Sequence, residues 1–514
     1  MGSGKLTSDR SCRTRFVFGY PPIFFAGMLL SGCMAVGGDY ERQPPPAAQT
    51  NWIDRANVAV AEEEFVAWWR EIGDPELARL IEAALQDNLT IRQGLSRIEE
   101  ANARRLRARA ARYPSVSAES STTVLQQSLN TQLGQAQFPG FERQYEQYAL
   151  GAAFNWQVDL WGQTRRRIDA ADARVEALIA AANGARLAIA SETAATYFTM
   201  AGFQQEKRAL LLGIEAQRTQ LDLAETRLEA GAISRAQLVL VEAELARLVE
   251  QLPGVEAEIQ ANALALGVLT GRLPETEIAL ADRVPPLLEL PDIPVGTRAD
   301  LLRRRPDVAR LERELAAETF GIGVARGELF PQLGLDASGG FTSIDPGTIL
   351  SGDSTRFTIV PFLSWRVFDG GRARADIRLA QAEARTAALA YVEGTITAIE
   401  EAEIAIAQYD LAREGRPLAL RTIELAQENL RLARIRFEVG DIDRFELQDA
   451  ERTYSDALRN GAISYRNSTL ALAQLYAALG GGWQAVPPYV AIPVPAPAPP
   501  SAAALPSTIL PISD

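Results

Sequence analysis

The sequence predicts a mainly α-helical fold, built from two copies of one unit in which a pair of β-strands precedes a long helical hairpin. Three observations support this prediction. The chain of 514 residues contains an internal repeat, each copy includes a helix-forming segment far longer than an ordinary helix, and alternating apolar residues precede each of those segments.

Composition limits the possible functions. With 47% apolar and 23% charged residues, the chain does not resemble a bundle of apolar membrane helices. Its net charge of −13 makes nucleic acid an unfavourable partner. The absence of histidine removes the commonest general base and metal ligand, so we expect no enzymatic activity, no metal site and no cofactor.

The N-terminus has the features of a secretion signal. The apolar run Phe16–Leu30 follows four basic residues and is shorter than the roughly 20 residues that a membrane-spanning helix needs. It ends in Leu-Ser-Gly-Cys33, so we predict that residues 1–32 are a lipoprotein signal peptide and that Cys33 is the attachment site for N-acyl and S-diacylglycerol lipid. An incidental cysteine near a cleavage site is the alternative. The only other cysteine, Cys12, lies in the predicted signal, which leaves no intrachain disulfide.

The internal repeat follows one register. Trp156–Gly162 aligns with Trp365–Gly371, and Leu223–Ile233 aligns with Leu432–Ile442 without a gap. The predicted domains are a lipidated linker at 33–60, repeat 1 at 61–271, an equatorial linker at 272–298, repeat 2 at 299–482 and a disordered Pro/Ala-rich tail at 483–514.

Each repeat is predicted to contain two strands. Apolar residues alternate from Tyr148 to Val158 and from Phe357 to Val367, which is typical of the second strand in each copy. The first strand of each copy follows the paired Tyr-Pro114 and Phe-Pro331.

Helices account for the rest of each repeat. Gln163–Glu229 contains no proline and is rich in Ala, Leu, Glu and Arg, which predicts one uninterrupted helix of about 100 Å. A similar composition predicts a second at Arg372–Glu438. The helices that flank these are predicted at Glu82–Arg112, Ile233–Thr270, Ala299–Leu329 and Ile442–Leu479.

Heptad spacing indicates that the hairpin helices pack against partner helices. The apolar positions recur at Leu238, Leu245, Leu252, Ile259 and Leu266, and in the second copy at Leu411, Leu418, Leu425 and Leu432. A solvent-exposed coiled-coil stalk would show the same spacing.

Four strands per chain cannot close a membrane barrel, for which roughly eight are the usual minimum, so the chain is expected to oligomerise. Two copies would supply eight strands around a filled interior. Three would supply twelve and leave room for a passage. The strand count alone does not decide between them.

Several motifs resemble the outer-membrane factor family of TolC-like efflux proteins, and within it the lipoprotein branch of the OprM/NodT type. They are Trp68-Trp69-x-x-Ile-Gly73-Asp74-Pro-Glu-Leu77, the run Asp300-Leu-Leu-Arg-Arg-Arg-Pro-Asp307, and the Tyr-Pro and Phe-Pro pairs. The resemblance covers nearly the whole chain from about Thr50 to Gly482. Without it, the arginine run would be interpreted as a solvated helix start with proline near its first turn.

The resemblance implies a homotrimer that forms a 12-stranded β-barrel in the outer membrane, continuous with a long periplasmic α-helical barrel. Such a trimer would be the exit duct of a tripartite efflux pump. Its partners would be outer-membrane lipid, a periplasmic membrane-fusion adaptor and an inner-membrane pump of the resistance–nodulation–division type. A coiled-coil lipoprotein scaffold that bridges envelope layers without forming a channel is the alternative.

The resemblance also assigns site residues. Glu446 and Asp449 match acidic rings that close the periplasmic gate, although two acids on a solvated helix are common. Phe437 replaces a gate tyrosine of a well-known member, and Ile442 replaces its arginine. The adaptor-docking tips correspond to Arg227, Gly231, Arg436 and Gly440, where a plain helix C-cap explains the glycines equally well.

Overall fold

The computed structural model describes residues 36–42, 51–53, 65–132, 135, 142–283 and 285–485. The predicted signal peptide and Cys33 lie outside these residues. Most of the predicted tail at 483–514 does too, but its start is wrong, because Trp483–Ala485 form a short 3₁₀ segment and the Trp483 indole donates to the Arg304 carbonyl oxygen at 3.1 Å. The described chain is mainly helical and carries four strands in one sheet, as predicted. None of its helices combines the length and apolarity that a membrane-crossing helix requires.

The elements follow the predicted order twice. The helices are α1 Trp68–Glu71, α2 Pro75–Asp87, α3 Leu89–Ala110, α4 Gln163–Glu229, α5 Arg235–Leu269, α6 Arg298–Arg304, α7 Pro306–Gly327, α8 Arg372–Glu438 and α9 Arg444–Ala478. The strands are β1 Ser115–Gln126, β2 Gln144–Val158, β3 Gln332–Ser343 and β4 Thr355–Ser364. Short 3₁₀ segments occupy Pro274–Asp282, Pro346–Thr348, Gly352–Ser354 and Trp483–Ala485.

The two long helices are the most accurate part of the prediction, since α4 and α8 each span 67 residues with the expected limits. The second is not proline-free as the first is, because Pro417 lies inside α8. The helix nevertheless continues through it as one element. The predicted helices before the strands are each divided in two, and in the second copy the break falls before Pro306, as expected for a residue that precedes proline.

The sheet is an antiparallel meander in the order β1-β2-β3-β4, so β1 and β4 form its edges. The predicted extension of the fourth strand to Val367 is wrong, because β4 ends at Ser364. Ser364 pairs with Gln332, the first residue of β3. Pro331 precedes that residue and lacks an N–H group, which prevents it from donating to the ladder.

Glycine permits an unusually close contact in the middle of the sheet. Gly151 on β2 pairs with Gly340 on β3. A Cβ at Gly340 would lie 2.2 Å from the carbonyl oxygen of Leu150, closer than any side chain can approach. These positions therefore require glycine for strand pairing rather than for turn geometry.

The chain divides into two compact units. Of the described residues, the first unit comprises 36–40, those between 108 and 169, and 319–381, and it contains the sheet. The second comprises the other described residues and contains the main apolar core. In that core the Trp68 ring stacks on Tyr476 with a centroid distance of 4.4 Å. The buried Tyr197 hydroxyl donates to Asp74, 2.6 Å away, and Asp74 in turn caps α2. Burial raises the pKa of Tyr197.

The two heptad patterns have different environments. On α5 the pattern is buried at Leu238, Ile259 and Leu266, which confirms that it faces a partner helix. On α8 the heptad leucines are exposed, and Leu411 and Leu418 expose 72% and 69% of their surface. We call Leu411, Leu418, Leu425 and Leu432 the leucine stripe. Within the described residues of this chain, nothing covers it.

The arginine run is not a solvated helix start, so that interpretation was wrong for two of its three residues. Arg304 is 2% exposed and lies over the Phe65 ring at 3.9 Å. Arg305 is also buried and forms ion pairs with Asp307 at 2.8 Å and Glu401 at 2.6 Å. Only Arg303 is exposed, paired with Asp300. The run thus joins the end of α6 to α8.

Replacing Arg305 with alanine should destabilise the protein far more than replacing Arg303. The first change removes charge-assisted hydrogen bonds from a buried site, worth about 1.5–3 kcal/mol, whereas the second removes an exposed pair worth about 0–1 kcal/mol. Thermal unfolding followed by circular dichroism measures both. Equal melting temperatures for the two variants would contradict the assignment.

The effect of Arg305→Ala should also depend on pH. Burial alone would raise the pKa of the Asp307 carboxyl, but hydrogen bonds and charge from Arg305 hold it below its usual value. A depressed carboxyl pKa adds stability above the unfolded-state value of about 3.9, and that stability is lost as pH falls through the folded-state pKa. The difference in melting temperature between wild type and Arg305→Ala should therefore shrink below about pH 4. A difference that stays constant down to pH 2 would exclude this linkage.

Candidate functional site: the tips of the helical hairpins

The first tip is a helix C-cap built on glycine. Gly231 follows the end of α4 with φ of 66°. The N–H group of Ala232 donates to the carbonyl oxygen of Arg227 at 2.8 Å, and that of Gly231 donates to Leu228 at 2.9 Å. This pair of bonds is the Schellman arrangement, which satisfies the last carbonyl groups of the helix and turns the chain.

The second tip repeats this geometry. Gly440 has φ of 80°, the N–H of Asp441 donates to Arg436 at 2.9 Å, and the N–H of Gly440 donates to Phe437 at 3.1 Å. The Arg436 guanidinium also hydrogen-bonds the Asp441 carboxylate at 2.7 Å, which raises the pKa of Arg436. The structure thus gives both predicted docking glycines a conformational role, and it leaves both tips exposed.

Glu446, a predicted gate residue, occupies the first turn of α9. Its N–H group donates to the side chain of Asp443, which is the N-cap, at 3.0 Å. At the same place in the first copy, Ser234 and Gln237 form a reciprocal capping box. A negative charge here is favoured by the positive end of the helix dipole. Glu446 therefore has a local stabilising role that does not require a gate.

Asp449, the second predicted gate residue, lies one turn further along α9. Its carboxylate is exposed and pairs with Arg452 at 2.6 Å. Exposed pairs at this spacing contribute about 0–1 kcal/mol and can exchange partners readily. The chain thus presents Glu446 and Asp449 together on one solvent-accessible side of the helix start.

Phe437, unlike the two exposed acids, is partly buried. It is half-buried in an apolar cluster with Leu430, Ile442 and Leu447, which fastens α8 to α9 behind the tip. The Arg227 guanidinium lies over its ring at 4.8 Å. The structure thereby joins a predicted docking residue of the first hairpin to a predicted gate residue of the second, a contact that the sequence did not indicate.

The sequence did not reveal a charge pair in the second hairpin, in which the glutamate is buried and the arginine half-buried. Glu451 on α9 is 8% exposed, and its carboxylate accepts a hydrogen bond of 2.8 Å from Gln220 on α4. Arg444 lies 3.7 Å from the same carboxylate. Burial raises the pKa of Glu451 and lowers that of Arg444. Within the described residues, the terminal nitrogens of Arg444 have no hydrogen-bond partner.

The repeat contained a signal for this pair. Arg235 and Glu242 occupy the matching positions in the first hairpin and lie 3.3 Å apart. That pair is exposed, with 65% of the arginine side chain accessible. An alignment of the two hairpins shows an Arg–Glu pair at the same positions in both. It does not show which of the two pairs is removed from solvent.

Glu451 also lines a cleft of about 580 Å³. Helices α4, α8 and α9 contribute polar residues to it, among them Gln217 and Arg434. The described residues contain no group of three or more acidic or cysteine side chains that could hold a metal ion.

Comparison with known proteins assigns the family. The model for "Outer membrane efflux protein" matches residues 80–272 and 298–481. The chain is 31% identical to outer membrane protein OprJ of Pseudomonas aeruginosa, over 91% of this chain and 96% of that protein. It is 28% identical to nodulation protein T of Rhizobium leguminosarum bv. trifolii, over 90% and 97%.

Solved structures agree. The outer-membrane channel OprN superposes with a TM-score of 0.77 at 29% identity, covering 87% of this chain and 99% of that one. The match extends over both repeats, which a shared hairpin alone would not produce. The chain therefore belongs to the outer membrane efflux protein family and is an outer-membrane channel of an efflux pump rather than an enzyme.

Proposed function

We propose that three copies of this chain form the exit duct of a tripartite pump, with a 12-stranded barrel in the outer membrane and a helical barrel in the periplasm. The observation that supports it most directly is the sheet, whose edge strands β1 and β4 have no neighbour within the described chain. Unpaired backbone groups cost several kcal/mol each in hydrocarbon. Three sheets joined edge to edge supply their partners and leave an open lumen.

The leucine stripe supports association along the helices. Four leucines at heptad spacing, exposed on one helix, are suited to a facing helix rather than to water. The other heptad pattern, on α5, is already buried inside the chain at Leu238, Ile259 and Leu266. The stripe is therefore assigned to a neighbouring subunit.

The tips form the gate and the docking end in this proposal. Three copies of Glu446 and Asp449 around a narrow opening attract cations and repel one another. A periplasmic adaptor binds at the exposed tips around Arg227, Gly231, Arg436 and Gly440, and its binding separates the hairpins. The inner-membrane partner is a resistance–nodulation–division pump, and the lipid on Cys33 anchors each subunit to the outer membrane.

Placing glutamate at both Leu418 and Leu425 should dissociate the trimer. Each buried leucine contributes about 2 kcal/mol, and the substitution adds an unpaired charge. Light scattering of the purified protein in detergent measures the mass. Leu273→Glu is the control, because Leu273 is 68% exposed, close to the 69% of Leu418, but lies outside the stripe. A double variant that keeps the mass of three chains would exclude this interface.

Neutralising the acids with Glu446→Gln and Asp449→Asn should lower the cation-over-anion permeability ratio in planar bilayers. We expect about a fivefold change, since two unit charges about 4 Å apart interact by about 1 kcal/mol even in water. Glu229→Gln removes an exposed acid from the other tip and serves as control. An unchanged ratio in the double variant, or an equal change in the control, would remove these residues from the gate.

A cysteine at Val439, which is 74% exposed beside Gly440, should cross-link to the adaptor in cells. The new thiol would be the only free one in the mature chain if Cys33 is acylated. Arg421→Cys, exposed further along α8, should capture less. If adaptor is captured at position 421 and not at 439, docking does not occur at the tip.

A further inference from the structure

The short segment Val36–Tyr40 lies against the start of α4, just after β2 ends. The N–H group of Val36 donates to the carbonyl oxygen of Trp161 at 2.8 Å. The carbonyl oxygen of Gly37 accepts a hydrogen bond of 2.8 Å from the Arg166 guanidinium. Part of the attachment thus runs through the backbone of the segment and does not depend on its side chains.

The Arg166 side chain is buried and is held in this contact by several partners. Its side chain is only 4% exposed, and its guanidinium pairs with Asp39 at 3.0 Å and with Asp169 at 3.3 Å. It also lies 5.7 Å from the centre of the Phe320 ring, against which Tyr40 packs edge-on. A buried arginine needs such partners, and the N-terminal segment supplies most of them.

Two glycines allow the segment to approach α7. A Cβ at Gly37 would lie 3.0 Å from the Cα of Gly323. A Cβ at Gly323 would lie 2.9 Å from the Arg166 side chain and 3.0 Å from the carbonyl oxygen of Val36. Gly323 lies inside α7, which ends at Gly327, and glycine is unfavourable within a helix, so the close approach accounts for its presence.

These residues occur in only one of the two places that the internal repeat relates. At the repeat-related positions, Arg166, Phe320 and Gly323 are replaced by Ala375, Ala103 and Leu106. The second location keeps the helices but has lost the guanidinium, the ring and the space. A chain has only one N-terminus, so only one of two duplicated surfaces can receive it.

We propose that Trp161, Arg166, Phe320 and Gly323 form an N-terminal seat that fixes the position of the lipid anchor beside the sheet. Only two residues separate Val36 from Cys33, and three peptide units span about 10 Å at most. Holding Val36 at the end of β2 therefore keeps the acyl chains at the level where the strands enter the membrane. This inference rests on the proposed lipidation of Cys33. Arg166 and Gly323 act as positioning residues for barrel insertion.

A spin label on Gly38→Cys tests the seat itself, because a Cβ there meets no atom within 4 Å. The label should be immobilised in the parent protein and mobile in Arg166→Ala and Gly323→Leu, with about a tenfold rise in the unseated-to-seated ratio, equivalent to one charge-assisted hydrogen bond. Arg165→Ala removes an exposed neighbouring charge and should leave the spectrum unchanged. An immobile label in both seat variants would overturn the proposal.

Coupling to the anchor is tested by a double-mutant cycle. Arg166→Ala should reduce membrane-inserted, heat-modifiable protein in the lipidated form, and should cause no further loss in Cys33→Ser exported by a non-lipoprotein signal. An equal loss in both backgrounds would show a purely structural role and reject the anchoring function. Radiolabelled palmitate on the parent protein tests lipidation separately, so failure of that part of the proposed function is distinguishable from failure of the seat.

Discussion

The edge strands of a sheet cannot remain unpaired in a membrane, and the rest of the proposed architecture depends on this constraint. The backbone groups of β1 and β4 face outward from a four-stranded meander. In hydrocarbon no water can satisfy them, and in water they would pair with any exposed strand. Duplication supplies four strands but not closure, so in the proposed trimer the edge strands of each subunit pair with those of its neighbours. In the same proposal, the exposed leucines on α8 are covered by a neighbouring subunit.

Duplicated elements have diverged where their surroundings differ. Both hairpins end in the same glycine cap, because that geometry is decided by backbone hydrogen bonds within a few residues. The Arg–Glu pair is exposed on the first hairpin, whereas on the second it is largely buried and Gln220 donates a hydrogen bond to the glutamate. Burying charges is costly unless they are fully paired, so the second pair is the more sensitive to any movement between α4 and α9.

The N-terminal segment illustrates the same divergence. One of two related surfaces has Arg166 and Gly323 and contacts the segment Val36–Tyr40, while the other carries alanine and leucine. Local sequence gives no reason for Gly323, since glycine is unfavourable within a helix. Its role depends on Val36 and Gly37, which are far away in the chain but lie in close contact with it.

The sequence by itself determined the repeat, the four strands, the long helices and the glycine tips, because each depends on composition or on hydrogen bonds between near neighbours. It also carried the family resemblance. Only the tertiary structure decided that Arg304 and Arg305 are buried, that Phe437 packs under Arg227, and that one heptad pattern is covered while the other is not. Those outcomes depend on which distant residues meet, and local patterns contain no information about that.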